Sequence, residues 1–236
     1  MKIINLISGP RNISTAMMYS FAQRSDCTVL DEPFYAVYLS KTDADHPGKE
    51  DVLKTMSSSE AVVRRKISEQ TSPVLFVKNM AHHCEVLENP WIDGATNVFL
   101  IRDPAYIITS YAKVIESPTM RDIGLAYQYH LLSKLKTSGE KLIVLDTGEV
   151  LKNPKTVLDR LCKACEIRFE ERMLRWEAGP KLFDGVWAQY WYENVHNSTG
   201  FNAPTSTKQP VPERLRPLCE EATILYEKLS AFSIKA

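Results

Sequence analysis

The chain alternates between short apolar runs and longer stretches in which apolar and polar residues recur at helical spacing. Three of the runs, at residues 74–77, 97–101 and 142–145, are almost continuously apolar. Such runs are typical of parallel strands that helices cover on both faces. The predicted strands are Lys2–Ile7, Thr28–Leu30, Val74–Val77, Asn97–Ile101 and Leu142–Leu145.

Helix-like stretches separate these strands. Because strands and helices alternate, the pattern predicts a three-layer α/β sandwich with a central parallel sheet of about five strands, joined by right-handed crossovers. Two helix starts have local support, since Asp103-Pro104 and Asn153-Pro154 each place an N-cap residue before a first-turn proline. The predicted helices are Ser14–Arg24, Lys49–Glu69, Pro104–Ile115, Arg121–Thr137 and Pro154–Cys165.

The last third of the chain differs in character. It contains three of the four tryptophans, Trp176, Trp187 and Trp191, which we expect to close the core, with a place over a bound ligand as the alternative. Residues 202–212 are proline-rich and are expected to be extended or mobile, and Glu213–Phe232 is predicted to be an amphipathic helix. We interpret residues 1–236 as a single domain in which residues 176–236 form an aromatic and helical cap.

Composition excludes several classes of protein. The 29 Lys and Arg balance the 29 Asp and Glu, which argues against a general binder of nucleic acid or anionic membranes. The first apolar run is too short for a secretory signal, and no run approaches the roughly 20 apolar residues of a membrane span. We therefore expect a cytoplasmic protein. The oligomeric state is open, a homodimer included.

Five scattered cysteines do not indicate a disulfide framework. Cys162 and Cys165 form a CxxC inside a predicted helix, with no second pair elsewhere in the chain. We expect them to be buried core residues, and no metal site is predicted.

The loop Ile-Ser-Gly-Pro-Arg-Asn-Ile-Ser-Thr at residues 7–15 joins the first predicted strand to the first predicted helix. Open α/β sheets bind ligands at the carboxyl ends of their strands, and helix N-termini attract anions. Arg11 adds a planar donor fork suited to phosphate or sulfate oxygens. The loop lacks the second glycine and the lysine of GxxxxGK[ST], which speaks against a nucleoside triphosphate. The alternative is an ordinary turn with a surface arginine.

A second motif resembles a known family. Arg102-Asp103-Pro104 ends the fourth predicted strand, and Ser110 follows Arg102 by eight residues. This spacing is similar to that of the sulfotransferases that use 3′-phosphoadenosine 5′-phosphosulfate (PAPS). The resemblance implies a P-loop NTPase-like sulfotransferase fold, with PAPS as co-substrate. It also implies that Arg102 and Ser110 bind the 3′-phosphate of the nucleotide.

The order of further motifs extends the resemblance over roughly residues 2–175. Glu32-Pro33-Phe34 resembles a segment of bacterial sulfotransferases, and Asn153-Pro154 resembles the start of a family helix. The loop resembles the family's 5′-phosphosulfate loop, commonly Pro-Lys-Ser-Gly-Thr-Thr, although Arg11 replaces its lysine and Ile13 its glycine. The residues this loop brings to the donor are Pro10, Arg11, Asn12, Ile13, Ser14 and Thr15.

The resemblance also suggests roles in catalysis. Arg11 would stabilise charge on the leaving oxygen, and Lys78 would neutralise the sulfuryl oxygens. The family's catalytic histidine has no match directly after Lys78-Asn79, so Glu32, His82 and His83 compete as the general base. The family's C-terminal loop over the 3′-phosphate has only Gly179–Trp187 as a candidate.

Three functions are therefore open. The first is transfer of a sulfuryl group from PAPS to a hydroxyl or amine of a small-molecule or sugar acceptor. The second is a non-catalytic nucleotide-binding or partner-binding module of the same fold. The third is a small-molecule kinase or NTPase, which the absent GK[ST] disfavours.

Overall fold

The computed structural model describes residues 1–112, 115–201 and 209–236. The strands in these residues are β1 (Lys2–Ser8), β2 (Cys27–Asp31), β3 (Val74–Met80), β4 (Ala95–Ile101), β5 (Ile143–Asp146) and β6 (Ser233–Ile234). They form one all-parallel sheet in the order β2-β3-β1-β4-β5-β6, flanked by helices. The predicted α/β fold is thereby confirmed, with one strand more than the five predicted.

The sixth strand escaped prediction because it is only two residues long. Ser233 and Ile234 pair in parallel with Val144 and Leu145 of β5. Two residues are too few to show a period of two, so the pattern of apolar positions gives no signal for such a strand.

Two predicted helices are each divided in the structure. The stretch 49–69 breaks around Ser57-Ser58-Ser59, where the Ser57 hydroxyl accepts a hydrogen bond from the Ser59 N–H at 3.2 Å. Serine side chains compete for backbone groups and so favour such breaks. The stretch 121–137 breaks at Gly124, whose φ of 73° ends one short helix and begins the next. The prediction of single helices in these stretches was wrong.

The remaining predicted helices begin where the sequence places them, whereas the helices at residues 35–41, 81–84, 147–152, 188–191 and 193–196 were not predicted. Asp103 and Asn153 cap their helices as predicted, accepting hydrogen bonds from Ala105 N and Thr156 N. The helices are α1 (Ser14–Ala22), α2 (Tyr35–Lys41), α3 (Lys49–Thr55), α4 (Glu60–Ser68), α5 (Ala81–Cys84), α6 (Pro104–Tyr111), α7 (Met120–Ile123), α8 (Leu125–Thr137), α9 (Thr147–Lys152), α10 (Pro154–Ala164), α11 (Ala188–Trp191), α12 (Glu193–His196) and α13 (Arg216–Ser230), with 3-10 turns at Glu171–Leu174 and Glu213–Leu215.

The chain divides into two compact units. The first comprises Met1–Leu6, Ser14–Thr96 and Glu170–Gly200, and the second Ile7–Ile13, Asn97–Phe169 and Phe201–Ala236. The prediction of a single domain with a cap stays a prediction.

In the first unit, the aromatic C-terminal segment packs on α2. Trp176 and Trp187 are buried, as predicted, and Trp191 packs at the edge of the cluster. Large aromatic side chains bury more apolar surface than other residue types and so dominate the stability of such a core. The cluster consists of Tyr35, Ala36, Tyr38, Leu39, Val52, Trp187, Ala188 and Tyr192.

In the second unit, α13 packs against α6, α8 and β5. Cys162 and Cys165 are buried on α10 and just after it, which confirms their predicted place in the core. The predicted helix Glu213–Phe232 appears as a 3-10 turn followed by α13.

Two expectations fall partly outside the described residues. Residues 202–208 of the proline-rich stretch and residues 113–114 of the predicted helix Pro104–Ile115 belong to the undescribed part of the chain. Among the helices that are described, none combines the length and the apolar character needed to cross a membrane.

Candidate functional site

The loop after β1 is built around a close backbone approach. A Cβ atom on Gly9 would lie 2.4 Å from the carbonyl oxygen of Ile123, at the end of α7. The Gln128 amide, oriented to suit its neighbours, accepts from the Gly9 N–H at 3.1 Å and donates to the Leu100 carbonyl. Only glycine, which has no side chain, leaves room for this approach of the loop to α7.

Arg11, Arg102 and Ser110 come together in the second unit. The Arg11 Nε donates to the Ser110 hydroxyl at 3.0 Å, and the Arg102 Nη1 donates to the Arg11 carbonyl oxygen at 2.6 Å. The Arg102 guanidinium also lies 5.3 Å from the centre of the Tyr106 ring. The Arg11 guanidinium thus contacts the Ser110 hydroxyl, and the Arg102 guanidinium contacts the Arg11 backbone.

The electrostatics of this cluster favour an anion. Burial lowers the pKa of Arg11, against an opposing effect of Tyr111. Burial likewise lowers the pKa of Arg102, against an opposing effect of Tyr106, and the neighbouring positive charge of Arg11 lowers it further. Two partly buried like charges repel each other, and a bound phosphate would relieve both the repulsion and the desolvation.

Asn12 fastens the loop to two neighbouring elements. Its Nδ2 donates to the Leu100 carbonyl on β4 at 3.0 Å, and its Oδ1 accepts from the Ile13 N–H at 3.1 Å. The same oxygen accepts a hydrogen bond from the Thr147 hydroxyl at the start of α9. Thr147 was missed in the sequence, because nothing local marks a threonine that contacts a loop 135 residues away.

Ser14 and Thr15 open α1 in the first unit. Ser14 is buried and Thr15 is half-buried. The helix is nine residues long, and its first residue is Ser14, as the sequence predicts. Both hydroxyls therefore lie in the first turn, where backbone N–H groups have no partner within the helix.

A second group of predicted residues meets in the first unit. Asp31 and Lys78 are register partners at the ends of β2 and β3. The Lys78 ammonium donates to Asp31 Oδ1 at 2.8 Å, to the Tyr192 hydroxyl at 2.7 Å and to Glu32 Oε1. Its side chain is 1% exposed, and all three of its hydrogens are used. Lys78 is therefore the centre of a buried ionic cluster.

Glu32 has an unusual backbone and an unusual acidity. Its φ of 43° lies in the left-handed region, and its N–H donates to the Lys78 carbonyl at 2.8 Å. Burial raises the pKa of Glu32 to about 7, assisted by the Asp31 carboxylate and opposed by the Lys78 ammonium. A carboxyl group with such a pKa can accept or release a proton near neutral pH. Burial would lower the pKa of Lys78, but the two carboxylates outweigh it and raise it.

The two histidines have different surroundings. His83 Nδ1 lies 3.6 Å from Glu32 Oε2, and the His83 ring stacks on Tyr35 with centroids 4.4 Å apart. Burial, together with the nearby imidazoles and Lys78, lowers the pKa of His83 well below its usual value. His82 is also buried and packs edge-on against Tyr38 at 5.1 Å. Of the two, His83 is the one described beside Glu32.

Residues from the C-terminal segment complete the cluster, and the sequence did not reveal them. The Tyr192 hydroxyl donates to Asp31 and accepts from Trp187 Nε1 at 3.1 Å. Burial, Asp31 and Glu32 raise the pKa of Tyr192 well above its usual value. The candidate loop Gly179–Trp187 also lies in this unit, where its Gly185 N–H donates to Asp31. Its role toward a 3′-phosphate stays a prediction.

Comparison with known proteins points to one family. The profile of the sulfotransferase domain family matches residues 1–232. The structure is similar to the sulfotransferase domain from the curacin biosynthetic pathway, with a TM-score of 0.61, 17% identity and 97% of both chains covered. It is also similar to the sulfotransferase domain of the olefin synthase from Synechococcus PCC 7002, with a TM-score of 0.57, 15% identity and 94% of both chains covered. At this identity, these likenesses show the fold.

Among curated proteins, the chain is similar to the branched-chain-amino-acid aminotransferase-like protein 2 of Arabidopsis thaliana. The two are 37% identical over 232 residues, which cover 97% of this chain and 41% of the relative. The corresponding protein 1 of the same plant is 36% identical, with the same coverage. The chain thus spans about two fifths of the length of the curated relatives it matches.

Proposed function

The chain belongs to the sulfotransferase domain family, and from that premise we propose that it transfers a sulfuryl group from PAPS to a hydroxyl or amine of a small-molecule or sugar acceptor. The observation that carries the proposal is the meeting of Arg11, Arg102 and Ser110 at two strand ends. Family membership supports a transferase, while PAPS as the donor and the nature of the acceptor belong to the proposal.

The proposed donor contacts follow from the charges in the second unit. Arg102 and Ser110 bind the 3′-phosphate, and the loop from Pro10 to Ile13 binds the 5′-phosphate with the first turn of α1, where Ser14 and Thr15 lie. The Arg11 Nε donates to the Ser110 hydroxyl. Nucleotide binding releases Arg11 from this bond, so that it can stabilise the charge that grows on the leaving oxygen.

Glu32 is the proposed general base. It is buried, its pKa is raised to about 7, and its neighbour His83 is held neutral because burial lowers the pKa of the imidazole. Glu32 takes the acceptor's proton as the new O–S or N–S bond forms and the bond to the adenosine bisphosphate breaks. His82 and His83 remain the alternative bases, and comparing Glu32→Gln with His82→Asn and His83→Asn decides among the three.

Lys78 has a more restricted role than the sequence suggests. Its three hydrogens are bound to Asp31, Glu32 and Tyr192. To neutralise the sulfuryl oxygens, it has to exchange one of these bonds for the donor. We propose that Lys78 holds the Glu32 carboxylate in place while it takes the acceptor's proton.

Calorimetry with adenosine 3′,5′-bisphosphate tests the donor site. We expect binding without added metal, and Arg102→Ala should weaken it by about tenfold to a hundredfold, the value of a charge-assisted hydrogen bond. The control is Arg65→Ala, because the Arg65 side chain is 68% exposed and pairs only loosely with Glu69. Absence of heat and of a thermal shift at millimolar nucleotide would count against the donor site.

A transfer assay separates the enzyme from a non-catalytic module. With PAPS and a broad panel of alcohols, phenols, sugars and amines, we expect release of adenosine 3′,5′-bisphosphate that depends on an acceptor. Glu32→Gln should lower kcat by about a hundredfold or more. Tight binding with no transfer to any acceptor would instead identify a nucleotide-binding module.

A further inference from the structure

A turn in the C-terminal segment of the first unit is fixed by one carboxylate. Asp184 Oδ2 accepts hydrogen bonds from the Tyr19 hydroxyl at 2.7 Å and from the Lys181 N–H at 2.8 Å. His196 Nε2 lies 3.1 Å from the same oxygen. The Asp184 side chain is 5% exposed. Three separate parts of the chain therefore converge on this single oxygen atom.

The residue after Asp184 reaches the ionic cluster. The Gly185 N–H donates to Asp31 Oδ2 at 3.1 Å. A Cβ atom on Gly185 would lie 2.2 Å from the Trp187 ring, so only glycine fits at this position. Asp31 also accepts from Tyr192 on both oxygens and from Lys78 on Oδ1. The turn thus contributes one of the hydrogen bonds that hold Asp31.

We propose that Asp184 is a positioning residue: by fixing the turn at residues 181–185, it holds Asp31 against Lys78 and so keeps Glu32 suited to act as a base. The inference rests on the proposed function for its catalytic meaning. The positioning itself concerns only contacts within the first unit, so it can be measured without any transfer reaction.

The direction of the effect follows from the charges around Glu32. The Asp31 carboxylate raises the pKa of Glu32, and Lys78 lowers it. If the turn loosens, Asp31 loses a donor and gains water, so its charge acts less strongly on Glu32. Lys78 then pairs more fully with Glu32. Both changes lower the pKa of Glu32 and make it a weaker base.

Charged and titratable groups from several elements surround Glu32. They come from the strands, from the short helix after β3, from the loop before α3 and from the end of α11. These titratable or charged neighbours are Asp31, Lys78, His83, His82, His46 and Tyr192.

Asp184→Ala and Asp184→Asn in the full chain give the test. Alanine removes the acceptor for all three bonds, whereas the asparagine amide oxygen can still accept them. We expect Asp184→Ala to lower the pKa of Glu32, followed by ¹³C NMR of the carboxyl carbon, by about one unit. In Asp184→Asn, the pKa of Glu32 should return most of the way to the wild-type value. Tyr19→Phe, which removes one donor only, should move the pKa in the same direction by a smaller amount.

The control is Asp122→Ala, which removes the capping box at the start of α7 in the other unit. It should lower Tm without moving the pKa of Glu32. If Asp184→Ala lowers Tm but leaves that pKa unchanged, Asp184 has a structural role alone and the proposal is wrong. If Asp184→Ala does not fold, Tyr19→Phe decides by the same measurement.

Enzyme kinetics give a separate readout. In the transfer assay, the ascending limb of the kcat/KM–pH profile, which reports the free enzyme, should move to lower pH in Asp184→Ala by the same amount as the pKa of Glu32. Failure to bind adenosine 3′,5′-bisphosphate would overturn the proposed function and leave the NMR result standing. An unchanged carboxyl pKa would overturn the positioning role and leave the nucleotide site standing.

Discussion

At the scale of single residues, two candidate site residues have strained backbones. Arg11 and Glu32 have φ values of 54° and 43°, a region that costs a non-glycine residue roughly 1 kcal/mol. Such a conformation persists where the surroundings hold it. Arg11 is held through its carbonyl by Arg102, and Glu32 by its backbone bond to Lys78. Each of the two backbones is thus held in the left-handed region by a hydrogen bond within its own unit.

The raised pKa of Glu32 predicts an unusual dependence of stability on pH. Its pKa is about 7 in the folded chain, above the ordinary 4.5, so the folded state binds the proton more tightly than the unfolded state. The contribution of Glu32 is therefore present below pH 4.5 and is lost as the pH rises through 7. Relative to Glu32→Gln, the free energy of unfolding of the wild type should fall by on the order of 3 kcal/mol between pH 4.5 and 8.

Urea unfolding of both proteins across this range measures the difference. Comparing the two chains cancels the other titrating groups, because they are shared. A difference that stays constant with pH, or that grows in favour of the wild type, would show that Glu32 is ionised in the fold at neutral pH.

Replacing Lys78 should be far more costly than replacing an exposed lysine. Lys78→Met leaves Asp31 and Glu32 buried side by side without their counter-ion, which should cost about 3–5 kcal/mol of unfolding free energy at pH 8. The control Lys54→Met removes an ion pair to Glu50 whose side chains are 71% and 89% exposed, and it should cost less than about 0.5 kcal/mol. Because Glu32 is protonated at lower pH, the cost of Lys78→Met should shrink toward pH 5. Equal costs at pH 5 and 8 would contradict this account.

At the scale of elements, the loop after β1 depends on its contact with the end of α7. Gly9→Ala would place a methyl group 2.4 Å from the Ile123 carbonyl oxygen, so the loop or α7 has to move. We expect the affinity for adenosine 3′,5′-bisphosphate to fall by about tenfold or more, since a displacement of the loop moves Arg11 away from its bonded position. Calorimetry measures the loss.

Gly139→Ala is the control for this change. Gly139 has a φ of 73° and open space around it, so alanine there is strained but displaces nothing. It should lower the free energy of unfolding by about 1 kcal/mol, the cost of the left-handed conformation, with nucleotide affinity unchanged. Equal effects of both substitutions on affinity would show that general destabilisation, and not the loop contact, is responsible.

At the scale of the whole molecule, the sequence predicted those features that depend on local chemistry. The strands at residues 74–77 and 97–101 and the caps at Asp103 and Asn153 were found because each has its own pattern. Long-range contacts leave no such pattern. Tyr192 reaches Asp31 across 161 residues, and nothing around it in the sequence marks that contact.

The candidate site residues also divide into those that a local motif predicts and those that depend on long-range packing. Arg11, Arg102 and Ser110 were named from two motifs, and the structure places them in direct contact. The burial that raises the pKa of Glu32 was invisible, because it depends on how Lys78 and the C-terminal segment pack around it. The competition between Glu32 and the two histidines could not be resolved from a list of residue types, since each of them can serve as a base.

The distribution of the nucleotide contacts along the chain gives the last prediction. If the donor is held at the ends of β1 and β4, saturating adenosine 3′,5′-bisphosphate should slow amide hydrogen exchange at residues 9–15 and 100–110. At one hundred times its Kd, the ligand should add about 2.7 kcal/mol to the free energy of unfolding. Arg102→Ala should reduce both effects together, because both arise from the same bound molecule. Protection confined to other elements, such as α3 and α4, would mean that the nucleotide binds elsewhere and that the contact between Arg11 and Ser110 serves the fold alone.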